Sequence, residues 1–251
     1  MKTLILCGGL GTRLRSAVAD RPKSLAPIAH RPFLAWTLDA LRSQNQYDFV
    51  LSAGYMAEQI EVFAKEYQQE VADPKLRIEV IIEPKPLGTG GAIYYAIRKV
   101  TLKEPFLVLN GDTFFSGSVA ELIRFYAQKE PMAAISVTQV ADSSRYGRVM
   151  FVPERGHVTG FEEKNGSHRT SSWINSGQYL LNPTVFDIPS LPDAFSLEQD
   201  IFPRLSDKQQ LYALTFPEAF FLDIGTPEDY ARAEALLPVF RETHLTKKPR
   251  L

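Results

Sequence analysis

The sequence predicts an α/β fold: a doubly wound, mainly parallel sheet carrying a small antiparallel insertion. Three observations support it. Short apolar runs alternate with helical patterns through the first half of the chain. The central runs are apolar on both faces, as in Phe106-Leu107-Val108-Leu109, which suits strands covered by helices on either side. From about Tyr146 the rhythm changes to strands joined by polar turns. In order, strands are expected at residues 3–6, 49–52, 78–82, 106–109 and 133–140, with helices at 32–42, 57–67, 91–99 and 119–128 between them. Strands at 147–152, 158–163 and 173–181 follow, separated by turns such as Pro153-Glu154-Arg155-Gly156 and Asn165-Gly166-Ser167. Ser196-Leu197-Glu198-Gln199 reads as a helix start with a capping box. A strand at 219–222 and a helix from Pro227, proline being favoured at the first helical position, close the fold. The polar tail 243–251 is expected to fray.

At 251 residues the chain can bury one large core. A single domain over 1–237 is expected, with halves at 1–140 and 141–222 and a tail at 238–251. Hydrophobic residues at 45% and charged residues at 23% exclude disorder and coiled coil. A net charge of -1 gives no footprint for nucleic acid. No apolar run approaches the roughly 20 residues of a membrane span. The N-terminal run, residues 1–9, has no cleavage-site pattern and reads as a first strand. Cys7 is the only cysteine, so no intrachain disulfide can form, and the cytoplasm is the expected compartment.

The segment Cys7-Gly8-Gly9-Leu10-Gly11-Thr12-Arg13-Leu14-Arg15 leaves a strand and is glycine-rich at once. Glycines let a backbone approach a ligand, and successive N–H groups can cradle an anion. No Gly-Lys-Ser/Thr follows, so it is not a P-loop, and the dinucleotide fingerprint is incomplete. Arg13, Arg15, Arg21 and Lys23 come next, a local excess of cations that suits a polyphosphate. By composition alone a solvated loop explains them equally well. His30, His157, His168 and His244 show no metal-ligand spacing, and Cys7 reads as a small buried hydrophobe. Trp36 and Trp173 sit among apolar neighbours and read as core.

The motifs, taken in order, resemble those of the sugar-phosphate nucleotidyltransferases. Gly8-Gly9-Leu10-Gly11-Thr12-Arg13-Leu14 followed by Pro22-Lys23 is similar to that family's opening signature. Leu87-Gly88-Thr89-Gly90-Gly91-Ala92 is similar to its second nucleotide loop, and Asn110-Gly111-Asp112 to its metal strand. Tyr146-Gly147, Phe161-Glu162-Glu163-Lys164, Asn175-Ser176-Gly177 and Phe221-Leu222-Asp223-Ile224-Gly225-Thr226-Pro227 match its sugar-side and closing motifs. The resemblance covers roughly residues 1–237. Ser24 departs from it, standing where close relatives often carry proline.

The resemblance implies a Rossmann-like, GT-A-like fold whose first half binds mainly nucleotide and whose insertion binds mainly sugar phosphate. It implies attack of a sugar 1-phosphate on the α-phosphorus of a nucleoside triphosphate, with release of pyrophosphate. Arg13 and Lys23 are the implied catalytic cations, since a guanidinium binds phosphate bidentately and an ammonium acts as a point charge. Leu6, Gly8, Gly9, Gly11, Thr12, Glu83, Gly88, Thr89 and Gly111 complete the nucleotide side. Gly147, Glu163, Lys164 and Asn175 form the sugar-phosphate side, Lys164 on the phosphate and Glu163 and Asn175 on hydroxyls. Asp112 and Asp223 each end an apolar strand run, where open α/β sheets bind ligands, and suit Mg²⁺. Thr226, directly before Pro227, is the better helix cap, which frees Asp223 from that role.

Glu83 leans toward guanine. A carboxylate is acceptor-only and can receive the N1–H and the exocyclic amine together, whereas uracil and thymine offer one donor between two carbonyls. GTP is therefore expected, and the resemblance implies a manno-configured sugar 1-phosphate, heptose ahead of mannose, for a surface glycan. Transfer from UTP or dTTP to another hexose phosphate stays open, as does a non-catalytic nucleotide-sugar sensor. A Rossmann-type oxidoreductase is disfavoured by the glycine loop. Neither nucleic acid nor membrane is an expected partner, and a homo-oligomer is compatible with the sequence. The chain ends soon after the closing helix, which leaves no room for the C-terminal β-helix of bifunctional acetyltransferase relatives, so a single activity is expected.

Overall fold

The computed structural model describes residues 1–14, 18–141, 143, 146–162 and 171–245. The first half runs β1 (Lys2–Leu6), β2 (Pro27–Ile28), β3 (Arg31–Pro32), α1 (Phe33–Ser43), β4 (Asp48–Ala53), α2 (Ala57–Val71), β5 (Arg77–Ile82), α3 (Gly88–Lys99), β6 (Phe106–Asn110), β7 (Thr113–Phe115) and α4 (Val119–Lys129). The second half runs β8 (Ala133–Val140), β9 (Arg148–Phe151), β10 (Val158–Glu162), β11 (Ser172–Leu181), α5 (Phe202–Asp207), β12 (Leu211–Thr215), β13 (Phe221–Asp223) and α6 (Pro227–Phe240).

The apolar runs of the first half become β6-β1-β4-β5, all parallel. In β6, β1 and β4 the side chains are buried from two sides, whereas β5 at the edge stays partly exposed. Leu4, Val50 and Val108 enter one core cluster with α3, while Ile5, Leu51 and Leu109 enter another beneath α1 and α2. The second half extends this sheet as antiparallel strands instead of forming a layer of its own. β11 pairs with β9 at Ile174 and with β6 from Gln178 to Leu181, and lies along β8 on its other edge. Its register against β8 shifts between Asn175 and Tyr179, so the strand is irregular where it changes neighbours, beside the end of β6. β12 adds to β8 in parallel. A two-stranded sheet of β7 and β13 sets Asp223 opposite Thr113.

Several boundaries differ from expectation. α3 starts at Gly88 and not at residue 91, because its first glycines bond outward to another segment. α2 runs on to Val71, and the last short strand is displaced to Phe221–Asp223. β2, β3, β7 and β12 had no expectation. Residues 243–245, expected to fray, continue α6 as a π-helical turn. Trp36 is buried and donates to Ile28 O (3.2 Å), whereas Trp173 is only partly buried, its ring edge against Phe151. Thr226 caps α6 by accepting from Asp229 N, as its position before Pro227 predicts. No described helix is long and apolar enough to cross a membrane.

Candidate functional site

The carboxyl ends of β1 and β6 stop side by side. Gly111 N donates to Leu6 O (3.0 Å), so the chain leaving β6 lies directly against the glycine turn leaving β1. A Cβ at Gly111 would collide with that Leu6 carbonyl, which is why a glycine stands there. The cleft they form, about 280 Å³, is lined by Leu6, Gly9, Gly11, Thr12, Arg13 and Lys23 from the first loop. Thr89, Gly111 and Asp112 reach it from α3 and β6, together with Cys7, Ser24, Asn110 and Gly225. Eight of the residues expected around the nucleotide, and Asp112 of the expected metal pair, thus face one cavity.

Its floor is charged. Lys23 Nζ donates to Asp112 Oδ2 at 2.6 Å, with the lysine side chain only 11% exposed. At Gly225 an added Cβ would lie 3.3 Å from Lys23 Nζ and 3.4 Å from Arg13 Nη2, so both cations converge on that glycine. Asp223 Oδ1 accepts from Gly225 N, and Ile224 N donates to Asp112 O (3.0 Å). The two aspartates therefore come from neighbouring chain segments. Burial, then the nearby Asp112 carboxylate, pushes the Asp223 carboxyl above its usual range, with Lys23 opposing. Two hard oxygen donors whose mutual repulsion is only partly relieved by one lysine fit a divalent cation. Among the described residues no cluster of three or more candidate ligands gathers.

Asn110 also lines a second, larger cavity of about 810 Å³ between β10, β11 and the segment before α5. Gly147 and Asn175 of the expected sugar side lie on its wall, together with Asp223. Glu163 and Lys164 lie outside the described residues, as does Arg15. Asn175 Nδ2 donates to Tyr179 Oη (2.8 Å), and Tyr179 donates onward to Glu198 Oε1 (3.4 Å). Glu198 Oε2 accepts from Thr89 Oγ1 (2.6 Å) and Ser196 Oγ (3.0 Å). Glu198 thus ties the wall of the second cavity to the wall of the first. In the sequence it belongs only to a helix start, and Ser196 does cap the helical turn, accepting from Gln199 N, a local role that explains the whole motif. No local signal marks a residue that acts at long range.

Some expected residues lie elsewhere. Arg21 turns outward to Asp20 (2.7 and 2.9 Å), so it adds no charge to the cleft. Gly8 and Glu83 line neither cavity. The Glu83 carboxylate packs over Gly8, accepts from Leu87 N (3.3 Å) and Ser52 Oγ (3.4 Å), and is pushed up mainly by burial. Gly88 faces the Phe195 carbonyl and not the cleft. Cys7 is buried, and burial pushes its thiol up to about 12, which removes it as a nucleophile.

Comparison with known proteins identifies the family. The sequence profile of the nucleotidyl transferase family matches residues 2–238. The D-glycero-alpha-D-manno-heptose 1-phosphate guanylyltransferase of Aneurinibacillus thermoaerophilus is 37% identical over 93% of this chain and 97% of its own length. Mannose-1-phosphate guanylyltransferase 1 of Arabidopsis thaliana is 36% identical over 92% of this chain, which spans 63% of that longer protein. Among solved structures, HddC from Yersinia pseudotuberculosis complexed with GMP-PN superposes with a TM-score of 0.76 at 33% identity, covering 93% of this chain and 98% of that one. On its profile match, its relatives and its fold, the chain belongs to the nucleotidyl transferase family.

Proposed function

We propose that this protein transfers a guanylyl group from GTP to D-glycero-α-D-manno-heptose 1-phosphate, releasing pyrophosphate and giving a GDP-sugar for a surface glycan in the cytoplasm. The observation that carries the reaction class is the floor of the smaller cavity, where Arg13, Lys23, Asp112 and Asp223 meet around Gly225.

A sugar phosphate has a second pKa of about 6, so its attacking oxygen is already anionic at neutral pH. The reaction then needs neither a protein nucleophile nor a general base. What it needs is charge compensation, because two polyanions must meet while further charge gathers on the leaving group. Arg13 and Lys23 are placed to receive the triphosphate. Gly9, with open space where a Cβ would be, leaves the backbone of the first loop accessible to it. Asp112 and Asp223 would hold Mg²⁺, which supplies Lewis-acid neutralisation of phosphate oxygens when bound. The sugar side is the larger cavity: Asn175 and Glu198 offer amide and carboxylate partners to hydroxyls, and Lys164 and Glu163 are assigned there from the motif alone.

Guanine is supported by the names of the relatives; Glu83, which lines neither cavity, is assigned to the base from its acceptor chemistry alone. Mannose 1-phosphate is the second reading, favoured by the plant relative, since it shares the manno ring. Four nucleoside triphosphates assayed against a panel of sugar 1-phosphates by pyrophosphate release test the proposal. The highest kcat/KM is expected for GTP with the heptose phosphate. UTP or dTTP at or above GTP would refute the base, and no release with any pair would refute catalysis.

A further inference from the structure

Behind the second glycine loop lies a cleft of about 520 Å³ that no step of the transfer uses. α3 forms one wall, and Pro84, Leu191 and Pro192 form the rest with Asp193. Its charge is one-sided: Lys85, Arg98 and Lys99 face one carboxylate, Asp193, which is already paired with Lys85 at 2.8 Å. In a chain of net charge -1, that leaves two cations at the C-terminal end of α3 without an acid in the cleft to match them. Both sit over aromatic rings. The Arg98 guanidinium lies 5.6 Å from the Tyr94 ring centre and Lys99 Nζ 5.2 Å from that of Tyr95. Apolar faces from Leu87 and Leu191 complete a surface that offers a planar group something to stack on and an anion something to bind.

We propose that this cleft is a second nucleotide site, taking a nucleoside diphosphate with its phosphates on Arg98 and Lys99 and its base against the tyrosine and leucine faces. It shares a wall with the catalytic cavity. Tyr94 packs on the Phe195 ring, and Phe195 O accepts from Gly90 N (3.0 Å) and Gly91 N (3.2 Å). Thr89, between those glycines and Leu87, faces the catalytic cavity. A ligand in the rear cleft therefore bears on the loop that carries Thr89 to the front one. Stacking and charge read no base edge, so this site should take GDP and UDP alike, whatever base the catalytic site selects.

Titration calorimetry with GDP and with UDP tests the assignment through stoichiometry. With the wild-type protein a site that binds both diphosphates within about threefold of each other is expected, in addition to the catalytic one. In R98E/K99E that site should weaken by tenfold or more, while kcat and KM for the transfer stay unchanged and the thermal midpoint shows that the fold holds. The milder R98Q/K99Q serves if the charge reversal unfolds the helix. A single equivalent in the wild-type protein, or two retained in both variants, overturns the proposal. Inorganic pyrophosphate filling the second site as tightly as GDP overturns the nucleoside part and leaves a bare anion site.

Discussion

The two glycine loops look alike in sequence and do opposite work in the fold. In the first, Gly9 has nothing within 4 Å of where a Cβ would stand, so its backbone fronts open cleft. In the second, Gly88 has φ +71 and its missing Cβ would lie 2.5 Å from Phe195 O. Gly91 would meet Asp193 O at 2.7 Å, and a Cβ on Gly90 would run into the Phe195 ring. At Gly9 the first loop keeps room open, whereas Gly8 beneath the Glu83 carboxylate and the three glycines of the second loop keep room for the protein's own chain. A glycine-rich stretch therefore announces close approach without saying what approaches, and only Thr89 of the second loop turns toward the cleft.

That contrast is broken most sharply on the charged floor beside the first loop. Asp223→Asn should fold normally and lose turnover by about 10³-fold, because it would remove a ligand charge from the ion proposed to meet the phosphates. Arg13→Ala should lower kcat by about 10²-fold with little change in KM for the sugar phosphate. Steady-state rates at saturating Mg²⁺, with thermal midpoints alongside, check both. Near-normal turnover in either variant would remove that residue from the chemistry.

The loops themselves come next. Gly88→Ala should destabilise the protein by about 1–3 kcal/mol, through strain at a left-handed backbone position and overpacking against Phe195. Gly9→Ala should leave stability within about 0.5 kcal/mol of wild type yet raise KM for GTP several-fold, since its methyl group intrudes only on the ligand. Urea unfolding paired with initial rates reads both effects. The reverse pattern would mean that the two loops have been assigned the wrong way round.

The smallest effect concerns Glu83, which lies between the loops. Burial raises its pKa above the ordinary carboxylate value, so ionisation costs the folded state more than the unfolded one. Stability from this group is therefore present at acid pH and is lost as pH rises from the unfolded value through the raised one. Glu83→Gln should gain stability relative to wild type across that window. KM for GTP in the wild-type protein should fall over the same window, because only the ionised form accepts both guanine donors. A stability difference that does not change with pH would show that the carboxylate is not held at that cost.

How far the sequence could be read follows the same division. The parallel strands β6, β1 and β4 emerged almost to the residue, because a strand buried on both faces must be a continuous apolar run. β12 was missed: Leu211-Tyr212-Ala213-Leu214-Thr215 is short, alternates and leans on alanine, and it becomes a strand only because β8 offers an edge. In the site, the residues that face the ligand cleft from strand ends were found by motif and position. Glu198 was not, since its partners Thr89 and Tyr179 lie far from it in sequence and are brought together by the fold alone. Arg21 erred the other way. Its charge fitted the cluster, but the neighbouring Asp20 claims it.

At the centre of the account stands a direct attack on the α-phosphorus with no protein nucleophile, consistent with a buried Cys7 thiol raised to about 12. The stereochemical course of transfer from a GTP made chiral at the α-phosphorus by a single sulfur substitution tests this most directly. One in-line displacement predicts inversion at phosphorus in the GDP-sugar. Retention would mean two displacements through a guanylylated residue, and would contradict the electrostatic mechanism drawn from Arg13, Lys23, Asp112 and Asp223.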